Sequence, residues 1–200
     1  MLLRRGLLSL SIVVLALTAS PAFSQTVQQA SSFIRDVGSR LVSIVNGPGS
    51  AQQKKAELAR VVDQDVDVDG IARFCLGRYW RLATPEQRRE YEALFHQVLI
   101  ISVTSKIGDY QGVHFTIDRT TSRPEGQVVS TTIAGPQRAP ATVEWVVQNV
   151  GGQPKIVDLL AEGTSLRLTQ RDDYGSFIAQ HNESVQALIE ALHRQVTQNA

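Results

Sequence analysis

Val27, Ala30, Phe33, Ile34, Val37, Leu41, Ile44 and Val45 recur at helical spacing, so one apolar stripe runs along about five turns. Asn46-Gly47-Pro48-Gly49-Ser50 stops that helix with turn residues. A second, shorter helix is predicted over Ala51–Val62, with Ala56, Leu58, Ala59, Val61 and Val62 on its inner side, and a third from about Val68 to Trp80. Thr84-Pro85-Glu86-Gln87 is the clearest start signal: Thr84 caps, Pro85 suits the first helical position, and Gln87 completes a capping box. The helix it opens lines up Tyr91, Leu94, Phe95, Val98 and Ser102, and turns apolar on most sides through Val98–Val103 before an expected end near Gly108.

Beyond that point the period changes from helical to twofold. Val113–Asp118 alternates as a half-buried strand does, and Gln127–Ile133 and Ala141–Val150 are β-branched runs with Val143, Trp145 and Val147 on one face. Gly151-Gly152-Gln153-Pro154 turns the chain back into Lys155–Ala161. Four strands on short loops predict an antiparallel meander rather than βαβ units. Helix returns at about Arg171–Gln180 and Glu183–Val196. The expected architecture is α+β: N-terminal helices, a curved antiparallel four-stranded sheet, then C-terminal helices folding back over it.

Met1–Ser24 reads as a secretory signal, with Arg4 and Arg5 as a positive start, Leu7–Leu17 as the apolar run and Ala22-Phe23-Ser24 before an expected cut at Gln25. The run falls short of the roughly 20 residues that span a bilayer. This predicts an exported chain with a single domain over residues 25–200 and no further membrane-spanning run or lipid-anchoring cysteine. The whole sequence of 200 residues carries a net charge of +1, but without Arg4 and Arg5 the remaining 18 basic residues face 19 acidic ones. That balance gives no basic footprint for nucleic acid. With 42% hydrophobic residues the chain is not disordered, and one cysteine excludes a disulfide framework or a cysteine-based metal site.

No catalytic set assembles from the remaining motifs. Asp65-Val66-Asp67-Val68-Asp69-Gly70 begins like a calcium loop, but its ninth and twelfth positions are Arg73 and Leu76, so Asp67 or Asp69 is read instead as the cap of the third helix. Cys75, between Phe74 and Leu76, is read as a buried thiol of low reactivity. His96, His114, His181 and His193 show no ligand spacing, and Gly163-Thr164-Ser165-Leu166-Arg167 lacks the second glycine of a nucleophile elbow. Asp118, Asp158 and His114 are the candidates left for an enzyme or small-ligand site. What stands out is a surplus of large apolar side chains, as suited to a core as to a ligand wall.

The run Asp67-Val68-Asp69-Gly70-Ile71-Ala72-Arg73-Phe74-Cys75-Leu76-Gly77-Arg78-Tyr79-Trp80-Arg81 is followed by Ala83-Thr84-Pro85-Glu86-Gln87-Arg88 and Phe95. Tyr110-Gln111-Gly112 and Val157-Asp158-Leu159-Leu160-Ala161-Glu162-Gly163-Thr164-Ser165-Leu166 come later. Together they resemble the MlaC (toluene-tolerance) family of periplasmic phospholipid-binding proteins, over about Val61–Leu192. Ser102-Val103 departs from the pattern, where the resemblance leads to an aromatic, and hopanoid-associated relatives or another apolar ligand remain alternatives. The resemblance implies a helix-and-sheet fold, NTF2-like in general shape, enclosing a lipid pocket. Its expected lining is Leu76, Tyr79, Trp80, Phe95, Leu99 and Ile101 from the helices, with Phe115, Val143, Trp145 and Val147 from the sheet. It also implies phospholipid as cargo with no cofactor or metal, and two partners. These are an inner-membrane MCE-domain protein with its ABC transporter and an outer-membrane lipoprotein–porin complex.

Overall fold

The computed structural model describes residues 26–105, 111–136 and 138–199, so the signal read at Met1–Ser24 lies outside the described residues. Six helices and one sheet follow in chain order: α1 (Val27–Asn46), α2 (Ala51–Asp65), α3 (Val68–Leu76), α4 (Pro85–Thr104), β1 (His114–Arg123), β2 (Gly126–Gly135), β3 (Arg138–Val150), β4 (Gln153–Ala161), β5 (Thr164–Ser165), α5 (Leu166–Gln180) and α6 (Val185–Asn199).

Capping chemistry sets most helix starts. Thr84 and Gln87 form the expected capping box of α4, and Thr26 with Gln29 and Ser50 with Gln53 build two more at α1 and α2. Asp67, rather than Asp69, caps α3 by accepting from the Gly70 backbone N–H. The single helix expected over Val68–Trp80 is divided. Gly77 takes a left-handed φ of 58°, its N–H closes on Arg73 and Phe74, and the chain continues as a 3-10 turn over Gly77–Arg81. Helix α5 begins at Leu166, five residues before the expected Arg171, because the Ser165 hydroxyl accepts from the Leu168 N–H.

The sheet is an antiparallel meander in the order β1-β2-β3-β4-β5. It has one strand more than expected, the two-residue β5 beside Leu160 and Ala161. Strand β1 outruns its apolar alternation, since Thr120, Thr121 and Ser122 pair with β2 as far as Arg123.

Two large apolar cores result, with a smaller cluster of Val128, Val146 and Val157 on the sheet. In the helical one, Tyr91, Phe95 and Tyr174 meet edge-on or tilted at 5.9–6.4 Å, and the Tyr91 hydroxyl donates to the Ala72 carbonyl at 2.8 Å. In the other, Ala30, Ile34 and Val37 of α1 pack on Val129, Trp145, Val147 and Ile156 of the sheet. Val66 packs against both, and an isolated parallel bridge holds it to Ile156.

Candidate functional site

Between these two cores lies a cavity of about 410 Å³, within the ~300–1,000 Å³ usual for small-molecule sites. Its body is apolar. Strands β3 and β4 contribute Trp145, Ile156 and Leu159, α1 contributes Val37 and Leu41, and α2 contributes Val61 and Val62. Ile71 and Cys75 come from α3, and Phe95, Val98 and Leu99 from α4. Helix α4 supplies the wall because its helical core face and its cavity face adjoin, which is why the sequence reads there as apolar on most sides.

Polar groups gather at the α5 end, where Arg167, Thr169, Gln170 and Asp173 join Asp158 of β4. Val103 and Leu166 also line the cavity while 38% and 48% exposed, so the space opens to solvent between the end of α4 and the start of α5. Ser102 stands on the same rim with its hydroxyl returned to the Val98 carbonyl.

The polar end is held together by hydrogen bonds centred on Asp158. Asp158 is buried and accepts from the Leu159 and Arg167 backbone N–H groups and the Ser165 hydroxyl, so its charge ties β4 to the start of α5. Burial first, and then the neighbouring Asp158 charge, push the Cys75 thiol up to about 12, which keeps it protonated and unreactive. Its Sγ donates to the Arg167 carbonyl at 3.6 Å. The other acid–base candidates lie elsewhere: Asp118 is exposed and bonded to Thr132, and His114 is exposed. Among the described residues, no group of three or more His, Cys, Asp or Glu side chains is placed to hold a metal ion. No described helix is long and apolar enough to cross a membrane.

Of the ten residues expected to line a pocket, Phe95, Leu99 and Trp145 meet in this cavity. Leu76 and Tyr79 are buried in the helical core and border a separate shallow cleft of about 360 Å³ beside Arg78 and Arg171. Trp80 is half-buried beneath the guanidinium groups of Arg73 and Arg88, 4.9 and 5.2 Å from its ring centre. Ile101 is half-buried on α4, away from the lining. Phe115, Val143 and Val147 belong to the sheet core next to the cavity, with Phe115 edge-on to Trp145 at 6.4 Å. Sequence reasoning missed the α1 and α2 walls, whose apolar stripes were legible, and Arg167, which entered only as the end of the Gly163–Arg167 motif.

The MlaC protein family model matches residues 35–194. The chain belongs to the MlaC family. Among the family's curated relatives, toluene tolerance protein Ttg2D of Pseudomonas putida is 23% identical over 193 residues, covering 94% of this chain and 88% of that protein. A phospholipid-binding protein from Ralstonia solanacearum, solved in complex with a phospholipid, shares the MlaC chain's fold with a TM-score of 0.72. The two are 19% identical, and the match covers 84% of this chain and 97% of that one.

Proposed function

We propose that this chain is a periplasmic phospholipid carrier, which holds acyl chains in the cavity between its two cores and moves lipid between the outer and inner membranes. The observation that carries this reading is the apolar cavity itself, open at one rim and placed in a fold shared with a phospholipid complex. Two acyl chains hold about 30 methylenes at roughly 0.8 kcal/mol each, so bare passage through water costs on the order of 24 kcal/mol. A carrier lowers that barrier by keeping the chains covered, and the task needs no nucleophile, metal or general base.

In this reading the signal at Met1–Ser24 directs export, and cargo passes between an outer-membrane lipoprotein–porin complex and an inner-membrane MCE-domain protein with its ABC transporter. Its role is the maintenance of outer-membrane lipid asymmetry, with the cargo chemically unchanged. Native mass spectrometry of the purified protein tests it: about one phospholipid per chain is expected, and the lipid should exchange into vesicles. A chain that is always empty and extracts nothing from vesicles overturns the proposal.

A further inference from the structure

Among the described residues, Arg167 is the one cationic side chain in the cavity lining, and it stands where the apolar wall gives way to the polar rim. Its side chain is 20% exposed, and its guanidinium rests on the Phe74 ring, 4.6 Å from the centre, with Arg171 over the same ring at 5.0 Å. Among the described residues, its buried Nε finds no hydrogen-bond partner. The neighbouring carboxylate pairs with it as an ion rather than through a hydrogen bond: Asp158 Oδ2 lies 3.4 Å from Nε and also accepts from the Ser165 hydroxyl, while Oδ1 takes two backbone N–H groups. A buried guanidinium N–H without an acceptor costs free energy, and the exposed part of the same guanidinium is what an anion arriving at the rim would meet.

The bonds that tie Arg167 into the fold run through its backbone. Its N–H donates to Asp158 and its carbonyl accepts from Cys75. Beyond its ion pair with Asp158 and its stacking on Phe74, the side chain presents a planar donor fork where the apolar body of the cavity meets its polar rim. A ligand that suits both has long apolar chains joined to a phosphate, because a guanidinium fork matches phosphate oxygens pairwise.

We propose that Arg167 is the phosphate-recognising residue of the cavity and distinguishes phospholipids from uncharged lipids with the same chains. The inference rests on the carrier reading and adds to it the group that reads the head. The phosphodiester sits against the guanidinium at the rim, the chains run inward past Leu99 and Trp145, and the rest of the head group faces solvent beside Gln170 and Asp173. A single fork holding a phosphodiester, with Asp158 already bonded behind it, recognises the ester and not the groups beyond it.

The full chain is incubated with vesicles containing equal amounts of dioleoylphosphatidylcholine and dioleoylglycerol, and the lipid it extracts is counted by mass spectrometry. The wild-type chain is expected to prefer the phospholipid on the order of tenfold or more, the scale of one charge-assisted hydrogen bond. Arg167→Gln should lose that preference while still extracting dioleoylglycerol, and Arg167→Lys should keep part of it. A preference that survives in Arg167→Gln overturns the proposal, and so does an equal loss of both lipids from that variant while it remains folded. Inorganic phosphate in excess should neither displace the phospholipid nor raise the melting temperature of the chain. If it raises the wild-type value and not that of Arg167→Gln, while wild type shows no lipid preference, the residue binds free phosphate and the proposal fails. Extraction of neither lipid by wild type defeats the carrier reading itself, a result distinct from all of these.

Discussion

The ring of Phe115 on β1 lies across Gly38 of α1 so closely that a Cβ there would fall inside the ring's van der Waals surface. Helix α1 reaches the sheet only because residue 38 has no side chain. Gly38→Ala forces the ring aside and should cost about 1–3 kcal/mol, as overpacking does in well-filled cores. Phe115 meets Trp145 edge-on, so the same variant should shift Trp145 fluorescence. Urea titration followed by tryptophan emission reads both effects.

Trp145 is held from its other end. Its indole N–H donates to the Thr131 hydroxyl at 2.9 Å, and that hydroxyl donates to the Val143 carbonyl. Thr131 is fully buried, so Thr131→Val strands the indole donor and should lower stability by about 1–3 kcal/mol. In a Trp145→Phe background the same change should cost less, since no donor is left without a partner. A double-mutant cycle in urea separates the two terms.

Leu99 and Leu82 share a chemistry and differ in place, one lining the cavity and the other 65% exposed. In the proposed function Leu99→Asp puts a carboxylate among the acyl chains and should abolish bound lipid, whereas Leu82→Asp should leave it unchanged. Leu159→Trp, which fills the space from β4, should also reduce the lipid held per folded chain. Lipid extracted and counted after matched purification gives the comparison.

Alkali should weaken the helical core. Burial raises the thiol of Cys75 from 9.0 to about 12 and lifts the phenols of Tyr91 and Tyr174 well above their usual range. The folded state thus favours the neutral forms, so this stability is complete below about pH 9 and is lost as pH rises toward 12. Each group can contribute a slope of up to about 1.4 kcal/mol per pH unit. Urea midpoints should fall steadily above pH 9, and Cys75→Ala should flatten the part owed to the thiol.

Local chemistry was readable wherever one short segment decides the outcome. Thr84-Pro85-Glu86-Gln87 announces α4 because capping involves only neighbours in sequence, and the β-branched runs announce a meander for the same reason. Gly77 escaped because a helix interrupted by a single left-handed residue keeps its apolar spacing on both sides. The start of α5 escaped because Ser165, its local cap, is also held by Asp158, which lies seven or more residues upstream of the groups it binds at Ser165 and Arg167. The site was legible only in part. Tyr79 and Leu99 look alike in the sequence, and only the packing of α3, α4 and α6 decides which of two apolar faces is filled by protein and which is left open.

Val66 packs against both of the cores that wall the cavity, and the consequence of the space between them concerns traffic. In the proposed function a guest lipid becomes interior while it stays, and the carrier is more stable full than empty by the linkage that holds for any ligand of the native state. Unloading is therefore uphill for the carrier. Whichever partner accepts the lipid must either bind it more tightly or stabilise the emptied chain, so the direction of flow is set by the stations at the two membranes and not by the vehicle between them.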